Sequence, residues 1–109
     1  MSTPADTLER TLTRRLREVL TGAAATEGEL RGLKEQAEGL ARTLAAGISS
    51  SEAQLSALAT KPDAAVAEMA AELRRVERLR EELDDLRADL AALASRARTL
   101  RGAWMRRSA

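Results

Sequence analysis

The sequence predicts an all-α protein: an antiparallel coiled-coil helical hairpin that dimerises into a four-helix bundle. Three observations carry this expectation. Leu and Ala dominate, Phe, Tyr, His and Cys are absent, and Trp104 is the only aromatic residue, so strong helix formers abound and sheet formers are scarce. Apolar residues recur on a heptad in both halves of the chain. A glycine-serine stretch separates the two halves.

The first seam reads Leu12, Leu16, Val19, Ala23, Thr26, Leu30, Leu33, Ala37, Leu40 and Leu44, in alternating steps of four and three. A phase held this long argues for a coiled coil over an ordinary surface helix. Thr3 can cap the start, with Pro4 as the first helical residue and Asp6 in the first turn. The helix is expected over about 4–46. Gly22, Gly28 and Gly32 weaken its middle, and Thr26 with Glu29 fits a capping box. Because the seam keeps its phase, one helix with a soft centre is preferred over two helices and a loop.

Gly47-Ile48-Ser49-Ser50-Ser51 reads as the turn over 47–51. Gly47 suits a C-cap, and Ser50 or Ser51 can cap a short helix over 51–60, with Glu52 and Gln54 in its first turn. Thr60-Lys61-Pro62-Asp63 then marks a kink, since proline lacks a backbone donor and disfavours helix at the residue before it. A long helix over 62–95 carries Val66, Met69, Leu73, Val76, Leu79, Leu83, Leu86, Leu90 and Leu93. The pattern continues through Ala97, Leu100 and Trp104. One short step between Val76 and Leu79 reads as a stammer, a local overwinding.

A fold-back centred between residues 49 and 50 would pair Leu16 with Leu83, Leu30 with Met69, Leu33 with Val66 and Leu44 with Leu55. Arg14, Arg15 and Arg17 would then fall opposite Asp85, Asp84 and Glu82. Flanking ion pairs of this kind select register more than they add stability. The expected helix and oligomer seam is Leu16, Leu30, Leu33, Leu40, Leu44, Met69, Leu73, Leu83, Leu86 and Leu90. A two-helix core is thin, and small domains that bury little commonly associate. Ala67, Ala70, Ala71, Ala88, Ala91, Ala92 and Ala94 lie off the main seam and permit close approach of another helix. The expected partner is a second copy, another helical protein, or both.

Formal net charge is +1, so the chain as a whole is no polyanion binder. Residues 96–109 nevertheless hold five arginines and no acid. They form a basic C-terminal helical extension, expected to project past the packed 1–95 hairpin. Its expected partner-binding residues are Arg96, Arg98, Leu100, Arg101, Trp104, Arg106 and Arg107. Trp and Arg are the residue types that most often dominate interfaces. Cations at a helix C-terminus also complement the helix dipole, but one or two would serve that purpose. An anionic membrane or nucleic-acid phosphates are less favoured targets for the same segment.

With no His, Cys or Tyr, the usual nucleophile–base pairs cannot be built. The acidic run Glu81-Glu82-Leu83-Asp84-Asp85 lies inside a strong helix, whose side chains radiate, whereas calcium sites wrap a loop around the ion. No catalytic residue, cofactor, metal or small-molecule substrate is expected. No apolar run approaches the roughly 20 residues needed to span a bilayer, and the N-terminus lacks a secretory signal pattern, so the expected location is cytoplasmic.

The size and central turn are similar to small secreted helical hairpins of the WXG type, although their Trp-x-Gly is absent. The turn here is Gly47-Ile48-Ser49, and Trp104 lies far from it. The outline also resembles coiled-coil stalk proteins of type III export machines. The residues themselves point to a non-catalytic structural or adaptor protein acting through coiled-coil contacts. The resemblance implies the alternative, a component or substrate of an export apparatus that works as the obligate partner of another helical protein.

Overall fold

The structure is a computed structural model that describes residues 4–61 and 66–108. Among the described residues it holds three helices, α1 (Pro4–Leu20), α2 (Glu27–Ala59) and α3 (Val66–Ser108). No strand occurs among the described residues, so the fold is all-α, as the composition predicts.

The helix expected over 4–46 is interrupted. Gly22 adopts φ 114°, a conformation that costs glycine little and other residues more. Its N–H donates to the Val19 carbonyl at 3.2 Å, and the Ala23 N–H donates to the Glu18 carbonyl at 2.9 Å. This pair of bonds is a Schellman closure, which satisfies the last carbonyls of α1. The Thr26 hydroxyl then accepts the Glu29 N–H at 3.1 Å and caps α2. The seam positions Ala23 and Thr26 are half-buried and exposed, too little burial to hold a helix through Gly22.

The expected turn at 47–51 is helical, and the expected short helix at 51–60 is the last part of α2. The seam runs on through Leu44, Ile48, Ser51, Leu55 and Leu58, of which the first three are buried and the last two half-buried. Gly47 acts as a packing residue: a Cβ there would lie 3.4 Å from Leu79 Cδ1. α2 ends instead at Ala59, and α3 begins at Val66. The Lys61 N–H donates to the Leu58 carbonyl at 3.2 Å, and the Thr60 hydroxyl donates to the Ala57 carbonyl at 2.8 Å. The readings of Thr3, Pro62 and Asp63 as cap or kink residues lie outside the described residues. No break separates 95 from 96 either, because α3 is continuous to Ser108.

The expected register falls with the turn. Leu44 and Leu55 share one helix and cannot face each other. Val66 is 82% exposed, and so does not close a seam with Leu33. Arg15 is bound by Glu29 and Glu18, not by the acidic run of α3. Within α3 the packed stripe is Met69, Glu72, Val76, Leu79, Leu83, Leu86, Leu90 and Leu93, each buried or half-buried. Glu72 takes the place expected for Leu73, which is 50% exposed. With that exchange the steps alternate regularly and the stammer disappears.

The chain divides into two compact units. One contains residues up to Leu40 and from Leu86 on; the other is Ala41–Asp85. The first draws its core from three helices: Leu16 and Val19 of α1, Leu30, Leu33 and Ala37 of α2, and Leu86 and Leu93 of α3. The Arg15–Glu29 pair ties α1 to α2, while Arg15 also donates to the Ala24 carbonyl at 3.2 Å. Glu29 first, then Glu18, raises the guanidinium pKa of Arg15, so this cation stays charged at any pH the fold meets.

The second unit pairs the end of α2 with the start of α3. Among its described residues, Leu44, Ile48, Val76 and Leu83 are the buried apolar ones, and Ser51 is buried too, at 2% exposure. Arg80 Nη2 donates to Glu52 Oε1 at 3.1 Å across the two helices. Gly47 lies about as far before the end of α2 as Leu79 lies after the start of α3. The Gly47–Leu79 approach and the Arg80–Glu52 bond bring the end of α2 and the start of α3 together within this unit. Of the remaining expected seam residues, Leu40, Met69 and Leu90 are half-buried.

Candidate partner-binding groove

In the first unit, the first two turns of α2 and the last four turns of α3 enclose a groove of about 900 Å³. Its base is apolar and shallow. Leu30 and Leu93 are buried there, and the small residues Ala25, Ala94, Ala97 and Ala103 line it with them. Leu100 and Trp104 stand at its edge, 42% and 70% exposed.

The charge around this base has one sign. Arg31 and Lys34 come from α2, and Arg98, Arg101 and Arg107 from α3; Glu27 is the single acid in the lining. Among the described residues, only Lys34 of these five cations lies within ion-pair distance of an acid, Glu38 at 3.8 Å. Arg98, Arg101 and Arg107 are exposed. Arg101 Nε makes only a long bond, 3.4 Å, to the Ala97 carbonyl. Glu27 and Glu29 have a local reason for their place, since acids in a helix's first turn complement its dipole. Of the two α2 cations at the groove, Lys34 has a local i,i+4 partner in Glu38 and Arg31 has no ion pair among the described residues.

Of the expected partner-binding residues, Arg98, Leu100, Arg101, Trp104 and Arg107 line the groove, while Arg96 and Arg106 do not. Arg96 is half-buried and turned to the α1–α2 link. Its Nη2 donates to the Ala23 carbonyl at 3.4 Å, and its Nε is enclosed without a partner. Arg106 is exposed in the last turn of α3, where it complements the helix dipole. The expectation that 96–109 projects alone is therefore corrected, because this segment shares a groove with α2. Arg31 and Lys34 were missed from sequence, and Leu30, Ala94 and Ala97 were expected on helix seams or a helix-packing face, not in this groove, since the expected register set Leu30 against Met69.

Among the described residues no group of three or more His, Cys, Asp or Glu side chains is placed to hold a metal ion. Among the same residues, no helix is long and apolar enough to cross a membrane. No protein-family model matches the chain, and neither the curated proteins nor the solved structures contain a match to it.

Proposed function

We propose that this chain is a non-catalytic adaptor, a cytoplasmic antiparallel helical coiled coil that docks a partner protein through the basic groove at the end of α3. The observation that carries the reading is the groove itself: five cations against one acid, set around an apolar base, with the only indole of the chain exposed at its lip. Interfaces of ordinary proteins concentrate their binding energy in such Trp and Arg positions. Leu73 and Val66, exposed at the start of α3, support a second element of the same reading. They offer a separate apolar surface on which two copies can associate as a four-helix bundle.

Affinity capture from the native host tests the docking, run in parallel on the wild type and on Trp104→Ala. Trp104 lies outside the buried core, so circular dichroism of the two should coincide. A protein retained by the wild type and lost by the variant supports the adaptor reading. Equal retention on both refutes it. Light scattering over a dilution series tests self-association, and a monomer at all concentrations removes the bundle while leaving the groove.

A further inference from the structure

We propose that the occupant of this groove is one acidic amphipathic helix of about fourteen residues. The proposal rests on the adaptor reading and specifies the partner's chemistry. Length comes from the wall: Leu93 to Arg107 rises roughly 21 Å along α3, the reach of four helical turns. Cross-section comes from the base. Ala94, Ala97 and Ala103 leave room for a backbone to approach, as small residues do wherever helices pack closely. Two helical walls with an apolar base between them reproduce the helix-in-groove mode of recognition, in which an apolar stripe lies inward.

Sign comes from the rims. Arg31 and Lys34 stand on one side, and Arg98 and Arg101 on the other. A guest helix with an apolar stripe therefore meets cations along both flanks, and acids at those flanks complete the pairing. Such complementarity steers encounter and fixes register. A flat membrane is disfavoured because Leu30 and Leu93 of the apolar lining are buried between two helices, whereas interfacial helices present their apolar face outward. Single-stranded nucleic acid is disfavoured because successive bases need several stacking rings, and Trp104 is the only aromatic residue here.

Trp104 supplies the assay, as its emission is unmixed with any other indole or phenol. The full chain is titrated with a blocked helical peptide of Leu and Ala on one face and Glu on the flanks. Its controls are a scrambled peptide of the same composition, a Lys-for-Glu version, phosphatidylglycerol vesicles and single-stranded DNA. The acidic amphipathic peptide should shift Trp104 emission to the blue and bind at least about tenfold more tightly than either control peptide. Its affinity should fall as salt rises.

Arg98→Glu with Arg101→Glu changes two exposed positions and should invert the preference toward the Lys peptide. Trp104→Ala, read by anisotropy of a labelled peptide, should weaken binding at least about tenfold. Equal binding of the scrambled peptide overturns the proposal. So does tighter, Arg98- and Arg101-dependent binding of vesicles or DNA. An emission shift that follows the protein's own dilution would place a second copy in the groove, and overturns it too. A captured partner that depends on Trp104 but shows no acidic helical period sinks the helix while the adaptor reading stands.

Discussion

Alanine in place of Gly47 distinguishes a turn at 47–51 from a helix that passes through it. In the structure Gly47 is a mid-helix residue of α2 without a positive φ. Ala at such a position stabilises by about 0.5–1 kcal/mol, since glycine loses more backbone freedom on folding. The added methyl meets Leu79 Cδ1 at 3.4 Å, ordinary contact with the movable end of a side chain, so no clash cancels the gain. For a chain near 100 residues that gain raises the melting temperature by about 2–8 °C. A turn glycine with positive φ would give the opposite sign, because Ala pays about 1–2 kcal/mol in that conformation.

Three companion substitutions calibrate the assay within the same protein. Gly32→Ala meets nothing within 4 Å and should stabilise by a similar amount. Gly22→Ala, at φ 114°, should destabilise. Gly47→Leu should destabilise by about 1–3 kcal/mol through overpacking against Leu79. Thermal and urea melts followed by circular dichroism read all four. If Gly47→Ala lowers stability as Gly22→Ala does, the continuous α2 and the register built on it are wrong.

Two other perturbations probe the packed stripe. Glu72→Leu should stabilise by about 1–2 kcal/mol in urea melts, because one carboxylate oxygen is enclosed without a partner and an unsatisfied buried acceptor costs that much; unchanged stability would mean the oxygen is hydrated. Leu33→Asp should unfold the first unit or dissociate its helices, since the leucine is 6% exposed, whereas Leu73→Asp, at a site 50% exposed, should leave the helical signal nearly intact.

Leu73 also shows where the sequence could mislead. It sits next to Glu72, and a count of leucines prefers it, at the cost of one irregular step. The structure prefers the residue that keeps the heptad, and tolerates a carboxylate there because its other atoms reach the surface. Ser51 misled in the same way from the other helix. Three consecutive serines after a glycine look like a turn, yet Ile48, Ser51, Leu55 and Leu58 continue the stripe begun at Leu44, and a small hydroxyl fits where two helices approach closely at Gly47. The break at 21–26 was masked by Ala23 and Thr26. Both keep step with the seam, but residues so small or polar gain little from burial, so their phase carries no information about continuity. The capping pair Thr26–Glu29 and Gly22 were the better guides there.

Half of the groove follows from local composition alone. Residues 96–107 announce themselves by five arginines, one tryptophan and no acid. The other half needed the fold, since Arg31 and Lys34 lie among acids in sequence and look like an ordinary solvated face. Only the packing within the first unit sets the start of α2 beside the end of α3. That placement changes what the arginines can do. On a projecting tail they could meet a protein or, less favoured, a membrane or a nucleic acid. Gathered with Arg31 and Lys34 beside small alanines, they suit, on the reading proposed above, a ligand that brings apolar bulk and negative charge on one narrow face, and an amphipathic helix is the polypeptide form with that pattern.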